Sequence, residues 1–363
     1  MTLGNKTEKD MKMRAMLVMV LGVVMLFAVS GIRVFAADTP ENAMQELQSL
    51  AESAQKAHEA KDFKKAISLF EKILAARPNP IIEYNLACAY AQSDDSDKAL
   101  LHLERAVDLG FIDAGHIEKD SDLVTVRKFP NYTKILQKAR TLVEAQQKAL
   151  ASIPAPQDIV LTVKDLKQGE KSPLLIFLHG MWSSPGELKS AFEPLTTTWK
   201  HTVFLPSGSV KLGMKPDGKP AYSWDPIKDV QVIVEKIKKM QDVDPKRIYL
   251  GGFSAGASMA YIVALDSPEL FAGVIGFSGA IQKELLTDEK VKKAAGKVPL
   301  YIVHGKQDQM MPISLGRDAL DYFKKNGFRV TLTEFEGTHT LPGNYFDMLK
   351  EAVQWFHTES KTE

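Results

Sequence analysis

Hydrophobic and polar positions follow different patterns in the two parts of the chain. From about Leu47 to Leu136, apolar residues recur at the spacing of amphipathic helices. Further along, short apolar runs alternate with helical stretches. The predicted strands are Ile159–Val163, Leu174–Leu178, Thr202–Leu205, Arg247–Leu250, Ala272–Phe277, Leu300–Val303 and Arg329–Phe335. Runs that are apolar throughout are typical of parallel strands covered by helices on both faces, so this part is predicted to be an α/β domain with a mostly parallel sheet.

Pro154 and Pro156 separate the two patterns, because proline ends a helix and favours extended chain. We therefore divide the 363 residues into four segments. These are an N-terminal signal or anchor at 1–36, an all-α repeat region at 37–150, a linker at 151–157 and the α/β domain at 158–363.

The helical region repeats itself. Ala66 and Ala99 lie 33 positions apart, each followed by a large apolar residue one turn later. The stretches Asn85–Tyr90 and Asp97–Leu100 resemble tetratricopeptide repeats. That resemblance implies a short stack of two helical pairs, with a degenerate third unit running from Asp120 to Leu136. Two roles stay open for it: a surface that binds a protein partner, or a structural appendage.

Charge and cysteine content remove several classes of function. Lys and Arg number 46 against 45 Asp and Glu, so the net charge of +1 gives no basic surface for nucleic acid. The single cysteine, Cys88, excludes an intramolecular disulfide and a cysteine-based zinc site.

The N-terminal segment has the three parts of an export signal. Basic residues precede an apolar run from Ala15 to Val29, and Val34–Ala36 offers a cleavage site before Ala37. An uncleaved anchor is the alternative, because Arg33 lies close to that site. Either interpretation places the folded protein outside the cytoplasm, periplasmic or secreted, with membrane contact only if the segment is retained.

The chemistry centres on Gly252–Gly256, a G-x-S-x-G sequence between a predicted strand and the helix Ala255–Leu265. A sharp strand-to-helix turn of this kind raises the serine above the sheet. Ser254 is therefore the candidate nucleophile, and an ordinary turn serine is the alternative.

A serine needs a base to take its proton, and the partners of such an elbow follow in the order acid, then histidine. His339 lies after the last predicted strand, and Asp308 lies just past the strand before it. Glu334 and Glu336 are weaker candidates for the acid, and Asp308 also fits the cap of a following helix.

Stabilising the oxyanion requires two donors. We predict the backbone N–H groups of Ala255 and of Met181, the latter because Gly180 lets the chain turn towards the site. His179 is interpreted as a group that fixes this loop rather than as a base.

Residues 173–342 resemble the phospholipase/carboxylesterase branch of the α/β-hydrolases, which includes acyl-protein thioesterases. The matching pieces are Leu178–Met181, Tyr222–Asp225, Gly252–Ala257, Phe271–Val274, Phe277–Gly279, His304–Gly305, Asp308, Pro312, Gly337 and His339. The resemblance implies Ser254, Asp308 and His339 as a catalytic triad. Departures at Ala255 and at Met181–Ser183, where the family usually has a glutamine and a glycine with an acidic residue, leave the acyl group open.

We therefore expect a serine hydrolase that cleaves carboxylic esters or thioesters, on a small-molecule or polymer substrate, without metal or cofactor. A serine peptidase, a polyester or feruloyl-type esterase and a non-catalytic binding protein are the alternatives. Trp182, Tyr222 and Trp224 are candidates for the substrate pocket, with core packing as the other interpretation. The segment Ser207–Pro226 is interpreted as a lid or as a surface loop.

Overall fold

The computed structural model describes residues 40–358, and the chain divides between Ala149 and Leu150 into two compact units. The export segment predicted at 1–36 lies outside the described residues. Within the described range, no helix is both long enough and apolar enough to cross a membrane.

The N-terminal unit is built from helices. They are α1 (Pro40–Glu59), α2 (Phe63–Ala76), α3 (Pro80–Gln92), α4 (Ser96–Asp108), α5 (Ala114–Lys119) and α6 (Pro130–Ser152), with a 3-10 turn at Ser121–Leu123. Small alanines and large apolar side chains from these helices share one core. Helix α3 is nearly all apolar because it packs against neighbours on several sides, which buries most of its length.

The internal repeat is visible in the helix starts. Asp62 and Asp95 cap α2 and α4 by accepting hydrogen bonds from backbone N–H groups three residues later. The residues before them, Lys61 and Asp94, share a left-handed backbone, with φ of 60° and 64°. The assignment of these helices to tetratricopeptide repeats stays a prediction.

The C-terminal unit contains a seven-stranded sheet and a separate hairpin. The strands are β1 (Ile159–Leu161), β2 (Ser172–Leu178), β3 (Thr202–Leu205), β4 (Val210–Met214), β5 (Pro220–Ser223), β6 (Val243–Phe253), β7 (Gly273–Phe277), β8 (Leu300–Gly305) and β9 (Val330–Phe335). In the large sheet the order is β1-β3-β2-β6-β7-β8-β9, with only β1 antiparallel to its neighbour. Strands β4 and β5 pair with each other.

Helices cover both faces of the sheet. They are α7 (Pro185–Phe192), α8 (Leu195–Thr198), α9 (Lys228–Lys238), α10 (Ala255–Asp266), α11 (Asp288–Ala294), α12 (Ile313–Lys325) and α13 (Tyr345–Phe356), with a 3-10 turn at Pro268–Leu270. Alternate residues of β2 enter different cores, Leu174 and Ile176 on one face and Leu175 and Phe177 on the other. Burial on both faces explains why β2 is apolar throughout, and it confirms the predicted mostly parallel α/β architecture.

Apart from the ends of some strands, the structure differs from the sequence prediction in three places. Helix α6 continues to Ser152, so the first two residues of the predicted linker are helical. The predicted third repeat unit, Asp120–Leu136, contains a 3-10 turn and only the start of α6. The segment Ser207–Pro226 holds the β4–β5 hairpin, which the pattern of hydrophobic positions did not predict because its exposed strand β4 and its short partner lack an apolar run.

Candidate active site

The candidate site lies where the carboxyl ends of the parallel strands meet. Strand β2 has β3 on one side and β6 on the other, so the chain reverses its direction of winding here, and ligands of open α/β sheets bind at such a point. The loops that follow β2, β6, β8 and β9 carry the predicted oxyanion donors, nucleophile, acid and base.

Ser254 is the single residue that connects β6 to α10, and its backbone has φ of 55° and ψ of −121°. This backbone conformation is strained for a residue other than glycine, and close packing around it holds it in place. A Cβ atom at Gly256 would lie 2.1 Å from the Leu178 carbonyl oxygen, and one at Gly252 would lie 2.3 Å from that of Gly256. Only glycine allows β2, β6 and α10 to approach so closely, which is why glycines flank the serine.

The three predicted triad side chains form one hydrogen-bonded chain. His339 Nε2 lies 2.9 Å from Ser254 Oγ, and His339 Nδ1 lies 2.7 Å from Asp308 Oδ2. Because a carboxylate accepts, Nδ1 carries the proton and leaves the Nε2 lone pair for the serine hydroxyl. The arrangement is that of a nucleophile, a base and an orienting acid.

Asp308 is buried and held on both oxygens. Its Oδ1 accepts hydrogen bonds from the backbone N–H groups of Met310 and Met311, at 3.0 and 2.8 Å, while Oδ2 faces His339. Burial alone raises the pKa of a carboxyl, but the hydrogen bonds from His339 and the Met311 N–H outweigh it and hold the pKa of Asp308 below its ordinary value. The carboxylate is therefore ionised and fixed in direction.

The two glutamates considered for the acid are engaged elsewhere. Glu334 accepts two hydrogen bonds from the Arg317 guanidinium, and Glu336 accepts from Lys306 and Gln307. Neither carboxylate has a hydrogen bond to His339 within the described part of the chain, which leaves Asp308 as its acidic partner.

Sequence reasoning missed His304, the last residue but one of β8. The ring is fully buried, and its Nε2–H donates to the Met311 carbonyl at 2.6 Å. Burial lowers the pKa of this imidazole, so it stays neutral 3.7 Å from Asp308 Oδ2. It supports the loop whose N–H groups hold the carboxylate. The His304–Gly305 pair was the only available signal, and it did not reveal the contact.

The two predicted oxyanion donors, the N–H groups of Met181 and Ala255, belong to segments next to the nucleophile. Gly180 lies close to Ser254, since a Cβ atom placed on it would be 3.6 Å from the serine Cβ. Among the described residues, neither the Met181 nor the Ala255 N–H donates to any acceptor. Ala255 begins α10, whose positive end also faces the serine.

The three predicted pocket aromatics have different surroundings. Trp182 is half-exposed, whereas Tyr222 and Trp224 are buried. The Tyr222 hydroxyl donates to the Pro154 carbonyl at 3.1 Å, and the Trp224 indole donates to the His179 carbonyl at 2.8 Å. Tyr222 and Trp224 thus fit the core-packing interpretation, and Trp182 alone presents a face to solvent.

Potential metal ligands occur together in the N-terminal unit. In the described residues, Cys88, Asp120 and Asp122 place one ligand atom each within 4.8 Å of one another. Asp120 Oδ2 already accepts hydrogen bonds from the Tyr84 hydroxyl and the Cys88 thiol, at 2.6 and 3.8 Å. Hydrogen bonding accounts for this cluster. Burial, together with these carboxylates, raises the pKa of Cys88 and keeps the thiol protonated.

Comparison with known proteins finds similar proteins for the C-terminal part of the chain. Residues 229–357 match the phospholipase/carboxylesterase family. Acyl-protein thioesterase 1 of Saccharomyces cerevisiae is 25% identical over 175 residues, which cover 41% of this chain and 76% of the yeast protein. The bifunctional acetylxylan esterase/xylanase XynS20E of Neocallimastix patriciarum is 31% identical over 164 residues, covering 43% of this chain and 21% of that protein. The crystal structure of Zea mays acyl-protein thioesterase 2 aligns with a TM-score of 0.44 and 17% identity, over 55% of this chain and 99% of the maize chain.

The C-terminal unit is a serine hydrolase with the α/β-hydrolase fold. More closely, residues 229–357 of this unit match the phospholipase/carboxylesterase family, and the similar proteins include thioesterases and esterases.

Proposed function

We propose that the chain hydrolyses carboxylic esters or thioesters through an acyl-serine intermediate, with Ser254 as nucleophile, His339 as general base and Asp308 as the group that orients the base. One observation carries the proposal. The unbroken chain from Ser254 Oγ through His339 to Asp308, at 2.9 and 2.7 Å, ends at a serine flanked by two unused N–H groups.

The proposed reaction has two halves. Ser254 Oγ bonds to the carbonyl carbon while its proton moves to His339 Nε2, and the carbonyl oxygen becomes an oxyanion facing the N–H groups of Met181 and Ala255. The protonated imidazole then gives its proton to the departing alcohol or thiol, and the acyl-serine remains. Water repeats the sequence with His339 again as base, which releases the acid and restores the serine.

The proposed substrate is an ester or thioester whose acyl or leaving group is apolar. Trp182, Met214 and Met310 expose large apolar surfaces on the loops and the hairpin next to the site residues. The names of the relatives include an acyl-protein thioesterase and an acetylxylan esterase, so thioester and oxygen-ester substrates both belong in the assays.

Labelling with a fluorophosphonate probe tests the proposal, because such probes phosphonylate a serine whose hydroxyl is activated and displace fluoride. We expect the full chain to be labelled at Ser254, as located by peptide mass spectrometry, and to hydrolyse p-nitrophenyl esters. The matched control is Ser258→Ala, because Ser258 lies one turn further along α10 and its hydroxyl accepts a hydrogen bond from the Ala280 N–H.

Ser254→Ala should abolish labelling and turnover while Ser258→Ala keeps labelling at Ser254. A folded wild-type protein that resists the probe and leaves esters intact would disprove hydrolysis and favour a binding role. Cleavage of aminoacyl amides that requires Ser254 would instead identify a peptidase.

A further inference from the structure

His179 is a buried titratable group next to the proposed oxyanion hole that takes no proton in the reaction. It follows β2 directly, and its ring is fully buried against the Trp224 indole, with ring centres 4.6 Å apart. Its Nδ1 lies 2.7 Å from the Gly180 carbonyl oxygen, and its Nε2 lies 3.0 Å from the backbone nitrogen of Gly208.

These two partners determine where the proton of the ring resides. The Gly180 carbonyl can only accept, so Nδ1 carries the proton and donates it. The Gly208 N–H can only donate, so Nε2 is the unprotonated nitrogen. Burial lowers the pKa of His179 to about 4, which keeps the imidazole neutral in this tautomer at ordinary pH.

The hydrogen bond to Gly180 also determines the direction of the next N–H group. In a planar trans peptide the C=O and the following N–H point in opposite directions. A Gly180 carbonyl that points at the His179 ring therefore directs the Met181 N–H away from the ring. Among the described residues this N–H has no acceptor, although its neighbourhood is packed against Ser254.

Without that bond the peptide has freedom to rotate. Gly180 has no side chain to restrict its dihedral angles, so the peptide between Gly180 and Met181 can turn over. The carbonyl oxygen would then point where the N–H now points and would repel a negative oxygen instead of stabilising it.

We propose that His179 is a positioning residue, whose hydrogen bond to the Gly180 carbonyl holds the Met181 N–H in place as an oxyanion donor. This inference rests on the proposed function.

Two amide substitutions separate the two contacts of the ring. In His179→Asn the side-chain N–H₂ lies near the former Nδ1 and can donate to Gly180, while the bond to Gly208 is lost. In His179→Gln the amide oxygen reaches the former Nε2 position and can accept from Gly208, while the bond to Gly180 is lost. The pair exchanges one neutral amide for another, so the variants differ mainly in which bond remains.

We expect His179→Asn to stay near the wild-type kcat/KM and His179→Gln to fall about 100-fold, the cost of a misplaced oxyanion donor. The fall should lie in kcat with KM unchanged, because the donor acts on the transition state. Affinity for a phenylboronic acid, whose boronate forms a tetrahedral adduct on the serine, should fall in parallel. A purely structural role predicts losses that follow the melting temperatures, and activity of the Gln variant equal to or above that of the Asn variant would overturn the proposal.

Nitrogen-15 NMR of the imidazoles in the full-length wild-type protein tests the inference even if a variant does not fold. The His179 ring should show a protonated Nδ1 and an unprotonated Nε2 between pH 6 and pH 8. The opposite tautomer would overturn the proposal. A wild-type protein that does not react with fluorophosphonate would contradict the proposed function, whereas a reactive one with the opposite tautomer would contradict this inference alone.

Discussion

Ser254 has a strained backbone conformation, which the packing around it stabilises. Its φ of 55° costs on the order of 1–3 kcal/mol, and it persists because the neighbouring glycines allow contacts no other residue would permit. The G-x-S-x-G spacing encodes that geometry locally, so the nucleophile could be predicted from the sequence. His304 could not, because its role depends on the position of the Met311 carbonyl, which is set by the path of a loop.

The assignment of the acid is tested by changing carboxylates one at a time. Asp308→Asn keeps the shape of the side chain but removes the charge that stabilises a protonated His339, so kcat should fall by about 100- to 10,000-fold. Glu334→Gln is the matched control, since Glu334 binds Arg317 and should leave kcat nearly unchanged. Steady-state kinetics on a p-nitrophenyl ester measures kcat of both variants. A large fall in kcat for Glu334→Gln with nearly unchanged kcat for Asp308→Asn would show that the acid is Glu334.

A buried neutral histidine makes the free energy of unfolding depend on pH. Burial lowers the pKa of His201 to about 4, whereas an unfolded histidine titrates near 6.5. As the pH falls from 6.5 towards 4, the unfolded chain takes up a proton that the folded chain refuses, so the free energy of unfolding decreases. Between pH 7 and pH 5 this one group should remove about 2 kcal/mol.

His201→Asn tests that linkage, because an amide near the Nδ1 position can still donate to the Trp199 carbonyl but does not titrate. Its free energy of unfolding should depend less steeply on pH between 7 and 5 than that of the wild type. Tryptophan fluorescence in urea follows the relevant unit, since all four tryptophans lie after Leu150. Parallel slopes for the wild type and the variant would contradict the assignment.

The hairpin β4–β5 contacts the residues that follow the oxyanion loop. An isolated bridge pairs Ser183 with Tyr222, and the Lys215 ammonium binds both oxygens of Glu187 at 2.6 and 2.7 Å. Strand β4 is partly exposed and its partner is short, so its existence follows from these tertiary contacts rather than from an apolar pattern. Sequence periodicity therefore predicted every strand of the large sheet and missed this pair.

Trp182 is held by this hairpin in a backbone conformation that favours glycine. Its φ is 60°, its N–H donates to the Tyr222 carbonyl, and its indole packs against Gly213. In Trp182→Gly, relief of about 1 kcal/mol of backbone strain offsets the lost contacts of a half-exposed ring, so stability should change little. If the indole contacts the substrate, kcat/KM for a phenylacetyl ester relative to an acetyl ester should fall about 10-fold, within the 1–3 kcal/mol of an apolar contact.

The control for that substitution is Asp165→Gly, which relieves the same kind of backbone strain, at φ of 65°. Asp165 lies in the loop that leads into β2, whereas the oxyanion loop follows the other end of that strand. It should leave the ratio of the two esters unchanged. A Trp182→Gly protein that keeps the wild-type ratio would show that the indole only covers the hairpin.

Over the whole molecule, the composition of the sequence changes close to the point where the chain divides into two units. The structure divides the chain at Ala149, and the prolines at 154 and 156 follow just after the end of α6. The end of α6 itself was predicted two residues too early, since alanine and serine before the first proline are compatible with helix or linker. The same N-cap residue begins two of the helices, Asp62 before α2 and Asp95 before α4. The repeat is less regular after α4, where the short helix α5 and a 3-10 turn follow instead of a regular pair of helices.

The hydrolase should work without the N-terminal helical unit. Every residue assigned a role in the reaction lies between His179 and His339, in the unit that begins at Leu150. A chain that starts at Leu150 should therefore hydrolyse p-nitrophenyl acetate with the kcat/KM of the full protein. Activity that is lost only on polymeric or protein-linked esters would assign substrate recognition to the repeats.

The matched control starts at Asp158 and so lacks the residues that anchor the hairpin. The Ile153 carbonyl accepts from Lys211 at 2.6 Å and the Pro154 carbonyl accepts from the Tyr222 hydroxyl, so removing both should loosen β4–β5 beside the oxyanion loop. We expect the shorter chain to melt at a lower temperature and to turn over more slowly than the chain from Leu150. Equal activity of the two would show that the hairpin needs no anchor, and a folded but inactive chain from Leu150 would show that the repeats complete the site.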